Sequence, residues 1–245
     1  MNQDVPRLRM FAGPNGSGKS TFKTMLRPEL LGIYINPDEI EKELSFRGFL
    51  DLDHYEVTAK EKEILNFFHK SVLLEKADCL EDAQFLRFND NKLSFHDVGS
   101  NAYFASVAAD FIRQKLIEHS KSFTFETVMS FPDKVELLRK AQSRGYRTYL
   151  YYVATEDPSI NISRVEYRVS RGGHSVPKDK IVSRYYRSLD LLLGAVRATH
   201  RAYIFDNSAK EHVWLAEITN GHTLEMKTDI IPAWFKKSLW DKFHH

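Results

Sequence analysis

The sequence predicts an α/β fold: a parallel sheet of about five strands with helices on both faces. Two observations predict it. Short apolar strand-like segments alternate with helical ones along most of the chain, and the first strand runs straight into a glycine-rich turn that opens a helix. With 245 residues, 42% of them apolar and 28% charged, the chain is long enough to bury a sizeable core and has an ordinary globular composition.

The first strand is Arg7–Ala12 (RLRMFA), and Lys19–Arg27 then reads as a helix that stops near Pro28. Gly32–Asn36 (GIYIN) is a second strand, followed by a helix over Pro37–Leu44. Helical spacing runs from Asp53 to about Lys76, with Ile64, Phe67, Phe68 and Val72 in phase. Phe85–Phe88 and Lys92–Phe95 flank Asn89-Asp90-Asn91 and read as a hairpin. After an amphipathic helix over Ala102–His119, the third strand is Ser122–Glu126 (SFTFE), with a helix over Asp133–Ser143 ending before Gly145.

Arg147–Ala154 (RTYLYYVA) is the fourth strand, and helices over Pro158–Val169 and Lys178–Thr199 follow. In the latter, Ile181, Tyr185, Leu189, Leu192 and Val196 recur at three- and four-residue intervals as a core-facing stripe. Ala202–Asp206 (AYIFD) is the fifth strand. Val213–Thr219 and His222–Lys227 flank Asn220-Gly221, a strong hairpin signal, and a last helix carries Trp234, Phe235, Leu239 and Trp240. Repeats, low-complexity tracts and Pro/Gly/Ser linkers are missing, which predicts a single domain over 1–245. Its decorations are an insertion at about 45–121 and a C-terminal hairpin and helix at about 211–243.

The 35 basic and 33 acidic residues, a formal charge of +2, are spread along the chain and give no global case for nucleic acid or an anionic membrane. Cys79 is the only cysteine, which excludes a disulfide framework and a thiolate metal cluster. No apolar run approaches the ~18 residues of a membrane span. A strand starting near Arg7 leaves no room for a signal peptide, so a cytoplasmic location is expected.

Gly13-Pro14-Asn15-Gly16-Ser17-Gly18-Lys19-Ser20 fits G-x-x-x-x-G-K-[ST] in full, with a strand before it and a helix after it, as that motif requires. This specifies the P-loop NTPase version of the α/β fold. Glycines let successive N–H groups converge on phosphates, and the helix adds its positive end. Lys19 is expected on the β- and γ-phosphates, the Ser20 hydroxyl on Mg²⁺, and Thr21 at the α-phosphate of ATP or GTP.

In a parallel sheet the strand C-termini share one edge with such a loop. Asp38 lies just past the second strand and Glu126 ends the third, so both carboxylates are expected near the γ-phosphate. One would activate an attacking hydroxyl, and another would hold Mg²⁺ or its waters. Two readings of Asp38 stand together: a catalytic base, or a first-turn acid complementing a helix capped by Asn36 with Pro37 at its first position. Glu126 is either functional or a polar residue at a strand end.

Arg164, Arg168 and Arg171 fall at i, i+4 and i+7, with Ile162, Val165 and Val169 on another helix face. Gly172-Gly173-His174 and Pro177 follow. A cationic helix ending in a glycine hinge suits a lid over phosphates, whereas the plainer reading is a solvated basic face. His174 either touches substrate or sits in the loop.

The segments GPNGSGKST (13–21), INPDEI (35–40), SFTFETVMS (122–130), GYRTYLYYVATEDPSINISRVEYRVSRGGHSVP (145–177), KIVSRYYRSL (180–189) and IFDNS (204–208) together resemble the zeta-toxin family of P-loop kinases, and most of all its predicted ABC-type ATPase branch. The resemblance covers roughly residues 7–44 and 122–208. It implies a nucleoside-monophosphate-kinase-like fold and ATP/Mg²⁺-dependent phosphorylation of a hydroxyl, on UDP-N-acetylglucosamine in the true toxins. Asp38 then matches the family's base, Lys19 with Ser20 its Walker A pair, and Arg164 a transition-state arginine, with Arg168 or Arg171 as the second. Glu126 matches a substrate-site carboxylate. Thr127 and His174 are assigned to the substrate with it, and Ser20 and Glu126 to the metal.

A small-molecule hydroxyl acceptor is implied, and a small antitoxin partner if the chain is a toxin. The 45–121 region and the Gly-Gly-His segment depart from the toxins. Two alternatives therefore stay open: a kinase for a nucleoside, dinucleotide or polynucleotide end, and a slow ATPase acting as a binding switch.

Overall fold

A computed structural model describes residues 5–24, 26–99, 101–173 and 175–243. In chain order its strands are β1 (Arg7–Ala12), β2 (Ile33–Ile35), β3 (Phe49–Asp51), β4 (Arg87–Asn89), β5 (Lys92–Ser94), β6 (Phe123–Thr127), β7 (Arg147–Ala154), β8 (Arg201–Asp206), β9 (Val213–Thr219) and β10 (Thr223–Met226). Helices α1 (Lys19–Lys23), α2 (Pro28–Leu31), α3 (Pro37–Arg47), α4 (Glu61–His69), α5 (Val72–Lys76), α6 (Ala102–Glu118), α7 (Asp133–Ser143), α8 (Pro158–Ser170) and α9 (Lys178–Arg197) lie among them. The chain folds into two compact units, one of Met1–Gly32 with Thr124–His245, the other of Ile33–Phe123. The second unit contains the expected insertion together with β2 and α3. No helix among the described residues is long and apolar enough to cross a membrane.

In the first unit six strands lie in the order β10-β9-β8-β7-β1-β6. β1 runs parallel to β7 with Met10 opposite Leu150, and β7 parallel to β8 with Ala154 opposite Asp206. Covered on both faces, these strands are apolar almost throughout: Leu8, Met10, Phe11, Ala12, Leu150, Tyr152, Val153 and Ala154 are all fully buried. The parallel arrangement brings Ala12, Ala154 and Asp206, the last residues of three strands, to one edge.

The C-terminal hairpin is part of this sheet rather than an appendage beside it. β9 pairs antiparallel with β8 across a β-bulge at Ile204/Phe205, because the short connection from Asp206 to Val213 cannot make a parallel crossover. Asn220 and Gly221 both have positive φ (52° and 71°) at the centre of the turn that the His222 N–H closes on Thr219 O, and Thr223 then pairs with Thr219.

α9 buries the predicted stripe, and Leu192 and Val196 are wholly inside. Within it the Tyr152 hydroxyl, whose pKa is raised by burial, meets Ser188 Oγ at 3.0 Å. Tyr185 donates to the carbonyl of Thr155 at 2.6 Å. On the other face Phe22 packs with Phe11, Val153 and Phe205, holding α1 to the sheet.

Two predicted helices are interrupted. The one expected over Lys19–Arg27 ends at Lys23, where the Thr24 hydroxyl turns back to donate to the Thr21 carbonyl at 2.7 Å. The one expected over Asp53–Lys76 is broken into a 3₁₀ turn (Leu52–Tyr55), α4 and α5, because Asp51 caps the first, Glu56 adopts φ 51° and Ser71 caps the last. Val72 is thereby turned to solvent, 58% exposed.

β3, too short to show a period, joins the predicted hairpin in the second unit's sheet, in the order β3-β5-β4, with Leu50 and Phe88 each opposite Leu93. Phe68, Phe95 and Phe104 form the aromatic centre of this unit. The final helix is short turns of α, π and α, over Ala233–Phe235, Lys236–Trp240 and Asp241–Phe243.

On the second unit, Lys115 bonds Glu63 at 2.8 Å and Glu118 at 3.1 Å. That contact holds the Glu63 pKa below its ordinary value. A carboxylate lowered on folding stabilises the native state above its unfolded pKa of ~4.3, and that contribution is lost as pH falls through the folded value. Lys115→Met should therefore flatten the acid limb of the urea midpoint plotted against pH. In the first unit, Leu192→Ala should lower the unfolding free energy by ~2–5 kcal/mol in urea titration, the range for a leucine truncated in a closed core.

Candidate functional site

β1 ends at Ala12, and the chain turns through the glycine-rich loop into α1, whose N-cap is Gly18. Gly13 has φ 144°, and a Cβ there would lie 2.0 Å from the Val153 carbonyl oxygen, so only glycine lets β1 leave the sheet so close to β7. The loop's carbonyls are paired one after another. Lys19 Nζ donates to Gly13 O at 2.8 Å and to Pro14 O at 2.9 Å, and the Ser17 N–H also reaches Pro14 O. Asn161 Nδ2 donates to Asn15 O at 2.6 Å, Asn207 Nδ2 to Ser17 O at 2.8 Å, and the Thr21 N–H to Gly18 O at 3.0 Å. Two polar atoms of the loop, Asn15 Oδ1 and Ser17 Oγ, are buried without a hydrogen-bond partner, and such atoms call for a physical explanation.

The Ser20 hydroxyl, next in sequence to Lys19, donates to Glu126 Oε2 at 3.1 Å across 106 residues. Glu126 is 7% exposed on β6 while Ser20 is exposed, so these two hard oxygen donors meet at the boundary between the buried sheet edge and solvent. Thr127 ends β6, and its Oγ1 accepts from the Met129 N–H at 3.0 Å. Met129 is itself fully buried at φ 53°, an uncommon conformation for a non-glycine residue. Thr21 is exposed.

Asp38 lies in the second unit, in the first turn of α3. Asn36 Oδ1 accepts its N–H at 2.9 Å and Pro37 takes the first helical position, so the capping uses the Asp38 backbone and not its carboxylate.

The three arginines have different surroundings. Arg164, part-buried, donates through Nη1 to Asn207 O at 2.7 Å and through Nη2 to Ala209 O at 3.3 Å. Arg168 is exposed on α8. Arg171 is the C-cap of α8 rather than a helical residue, and its guanidinium lies 4.9 Å from the Tyr167 ring centroid. Gly172 and Gly173 close the helix by donating to Val169 O and Arg168 O, the paired bonds of a glycine stop. His174 falls outside the described residues.

Sequence reasoning gave no role to Asn161, Asn207, Thr155 or Asp206. Asn161 is fully buried, and its Oδ1 accepts from the Thr155 hydroxyl while its amide reaches the loop. Asp206 accepts from Ser208 N–H and Oγ and from Trp234 Nε1 at 2.7 Å, which anchors the C-terminal turns to the end of β8. The signal was present: IFDNS contains both Asp206 and Asn207, and an Asn among apolar neighbours in the first turn of a helix invites a buried partner. A cavity of about 360 Å³ lined by Arg7, Tyr146, Arg147 and His200 lies at the start of β1 and β7, the sheet edge opposite the loop.

The zeta toxin family model matches residues 96–219, half of the chain. A Haemophilus influenzae protein described only as uncharacterized is 28% identical over 69 residues, which cover 28% of this chain and 49% of that one. The chain thus spans about half the length of the curated relative it matches. Among solved structures, AvrRxo1-ORF1 in complex with AvrRxo1-ORF2, solved with sulphate ions and also with ATP, aligns over 97% of this chain and 63% of that one, with a TM-score of 0.55 and 13% identity. The PezAT toxin–antitoxin system of Streptococcus pneumoniae aligns over 100% of this chain and 80% of that one, with a TM-score of 0.49 and 15% identity. At 13% identity the AvrRxo1 likeness speaks for a common fold. The family model, which spans α6 to β9, speaks for descent, and by it the chain belongs to the zeta toxin family.

Proposed function

We propose that this chain is a P-loop kinase that transfers the terminal phosphoryl group of ATP or GTP, with Mg²⁺, to a hydroxyl group on a small molecule. The observation that carries the reading is the 3.1 Å contact between Ser20 Oγ and the buried Glu126 carboxylate, one residue beyond the Walker A lysine. Phosphoryl transfer asks a protein mainly for positioning and charge neutralisation, and this corner of the fold is built from those parts.

The donor set fits a hard divalent cation: a hydroxyl and a carboxylate oxygen at the end of a phosphate loop. Ser20 and Glu126 would hold Mg²⁺, which when bound offsets charge on the β- and γ-phosphate oxygens. The 13–21 segment, Pro14 apart, would supply backbone N–H groups to the phosphates. The Lys19 ammonium, with three donors on a flexible stem, can exchange its loop carbonyls for phosphate oxygens.

Asp38 takes the general-base role that INPDEI implies, on sequence grounds. It would accept the proton of the attacking hydroxyl as the new P–O bond forms and the β,γ-bridging bond breaks. Arg164 keeps the assignment that resemblance suggests, with part of its guanidinium engaged by the 207–209 segment. Arg168, Arg171 and His174 would belong to a lid, and Thr127, next to Glu126 in sequence, would contact the acceptor.

Within this reading the acceptor is a sugar nucleotide of the UDP-N-acetylglucosamine kind, and a small protein antitoxin is the partner. Family membership supports both, and the pairing of AvrRxo1-ORF1 with a second protein in its crystals supports the partner.

Incubation with Mg·ATP and a panel of hydroxyl acceptors including UDP-N-acetylglucosamine should yield a new phosphoester resonance in phosphorus NMR. ADP forming at one slow rate with and without every acceptor would overturn the kinase reading in favour of a nucleotide-driven switch. Asp38→Asn should lower transfer by ~10²–10⁴-fold while calorimetric Mg·ATP affinity stays near wild type. Lys19→Ala should weaken that affinity by roughly 10–100-fold, the worth of a charge-assisted bond.

A further inference from the structure

The geometry points to Asn161 and Asn207 as positioning residues that set the peptide planes of the phosphate loop, so that its N–H groups and not its carbonyls face the nucleotide. The inference rests on the phosphate-binding role proposed above and names residues outside the Walker motif.

A backbone loop carries donors and acceptors in equal number, and an anion is repelled by any carbonyl that rotates toward it. A loop that binds phosphate therefore needs something to hold its carbonyls outward. Lys19 does this for Gly13 and Pro14, but the same ammonium is wanted on the phosphates. For Asn15 and Ser17 the donors are neutral carboxamides with no such second demand on them, Asn161 Nδ2 at 2.6 Å and Asn207 Nδ2 at 2.8 Å.

Both amides are themselves held. Asn161 is fully buried, with its oxygen accepting from the Thr155 hydroxyl, and the Asn207 backbone N–H donates to Ala154 O at 2.8 Å while its carbonyl accepts from Arg164. The loop closes tightly on them. A Cβ at Gly16 would come within 2.6 Å of the Asn161 carbonyl oxygen, and one at Gly18 within 2.3 Å of Asn207 Nδ2. Asn15, Asn161, Arg164, Asn207 and Ser17 thus form a closed circuit in which α8 and the segment after β8 grip the loop from two sides.

Asn161→Asp isolates the donor. It keeps the oxygen that accepts from Thr155 and replaces only the N–H directed at Asn15 O, with little change in volume. Calorimetry with Mg·ATP at pH 8 should show affinity about fivefold or more below wild type, as the ionised carboxylate turns the carbonyl away. As pH falls toward 5.5 the variant-to-wild-type ratio should narrow, because burial at this fully enclosed position raises a carboxyl's pKa, and the protonated form regains an O–H that donates to the same oxygen. Taking the ratio at each pH removes the titration of the nucleotide, and Asp157, the N-cap of the same helix, stays ionised throughout because its bonds from Ser159 hold its pKa below the ordinary carboxylate value.

Asn207→Asp should behave alike and carries the test should the first variant fail to fold, which its melting temperature without nucleotide would reveal. Equal affinity of variants and wild type, or a deficit of the same size at every pH, overturns the positioning role alone. A wild-type chain that binds no Mg·nucleoside triphosphate overturns the phosphate-site reading beneath it.

Discussion

The structure turns on how a short glycine-rich loop disposes of its own carbonyl groups. A loop that collects anions must gather N–H groups inward and find other partners for the oxygens it thereby turns away. Here the oxygens of Gly13, Pro14, Asn15, Ser17 and Gly18 are each paired, by an ammonium, two carboxamides and two backbone N–H groups. Two of those partners, Asn161 and Asn207, lie more than a hundred residues downstream, so the loop acquires its shape only from a folded sheet. Local glycine content makes the conformation accessible, and long-range hydrogen bonds make it the one adopted.

The parallel sheet supplies those partners by a simple rule. Strands running the same way end at the same edge, and the segments after β7 and β8 arise beside the loop that follows β1. The scaffold beneath is stiff for identifiable reasons. Tyr152 and Tyr185 carry hydroxyls into the packing of α9 and find Ser188 and the Thr155 carbonyl there, so each large buried side chain is also satisfied. Trp234 does likewise with Asp206, joining the C-terminal turns to the residue just before Asn207. The antiparallel hairpin of β9 and β10 covers what would otherwise be the open edge of β8.

The second unit has a core of its own, centred on Phe68, Phe95 and Phe104, and its own small antiparallel sheet. It also carries α3, with Asp38 in the first turn. An acidic residue placed there complements the helix dipole whatever else it does. Local structure around Asp38 therefore accounts for a carboxylate there, and the base role proposed for it comes from the INPDEI motif.

Much of the architecture was legible in the residues. The strands over Arg7–Ala12 and Arg147–Ala154, the helix over Asp133–Ser143 and the buried stripe of α9 all follow from apolar periodicity, because burial on one helix face or both sheet faces imposes a period that composition displays. The Walker motif was legible for a related reason: its glycines and lysine act through local backbone geometry. Where local side chains compete with the helix the reading failed, as at Thr24 and Ser71, since a hydroxyl bonding the backbone leaves no periodic trace. The pairing of Ser20 with Glu126, the grip of Asn161 and Asn207 on the loop, and the attachment of Arg164 to the segment after β8 were decided by tertiary structure alone. Each joins residues far apart in sequence through a side-chain hydrogen bond, and a hydrogen bond depends on a few tenths of an ångström that no linear pattern of residue types encodes.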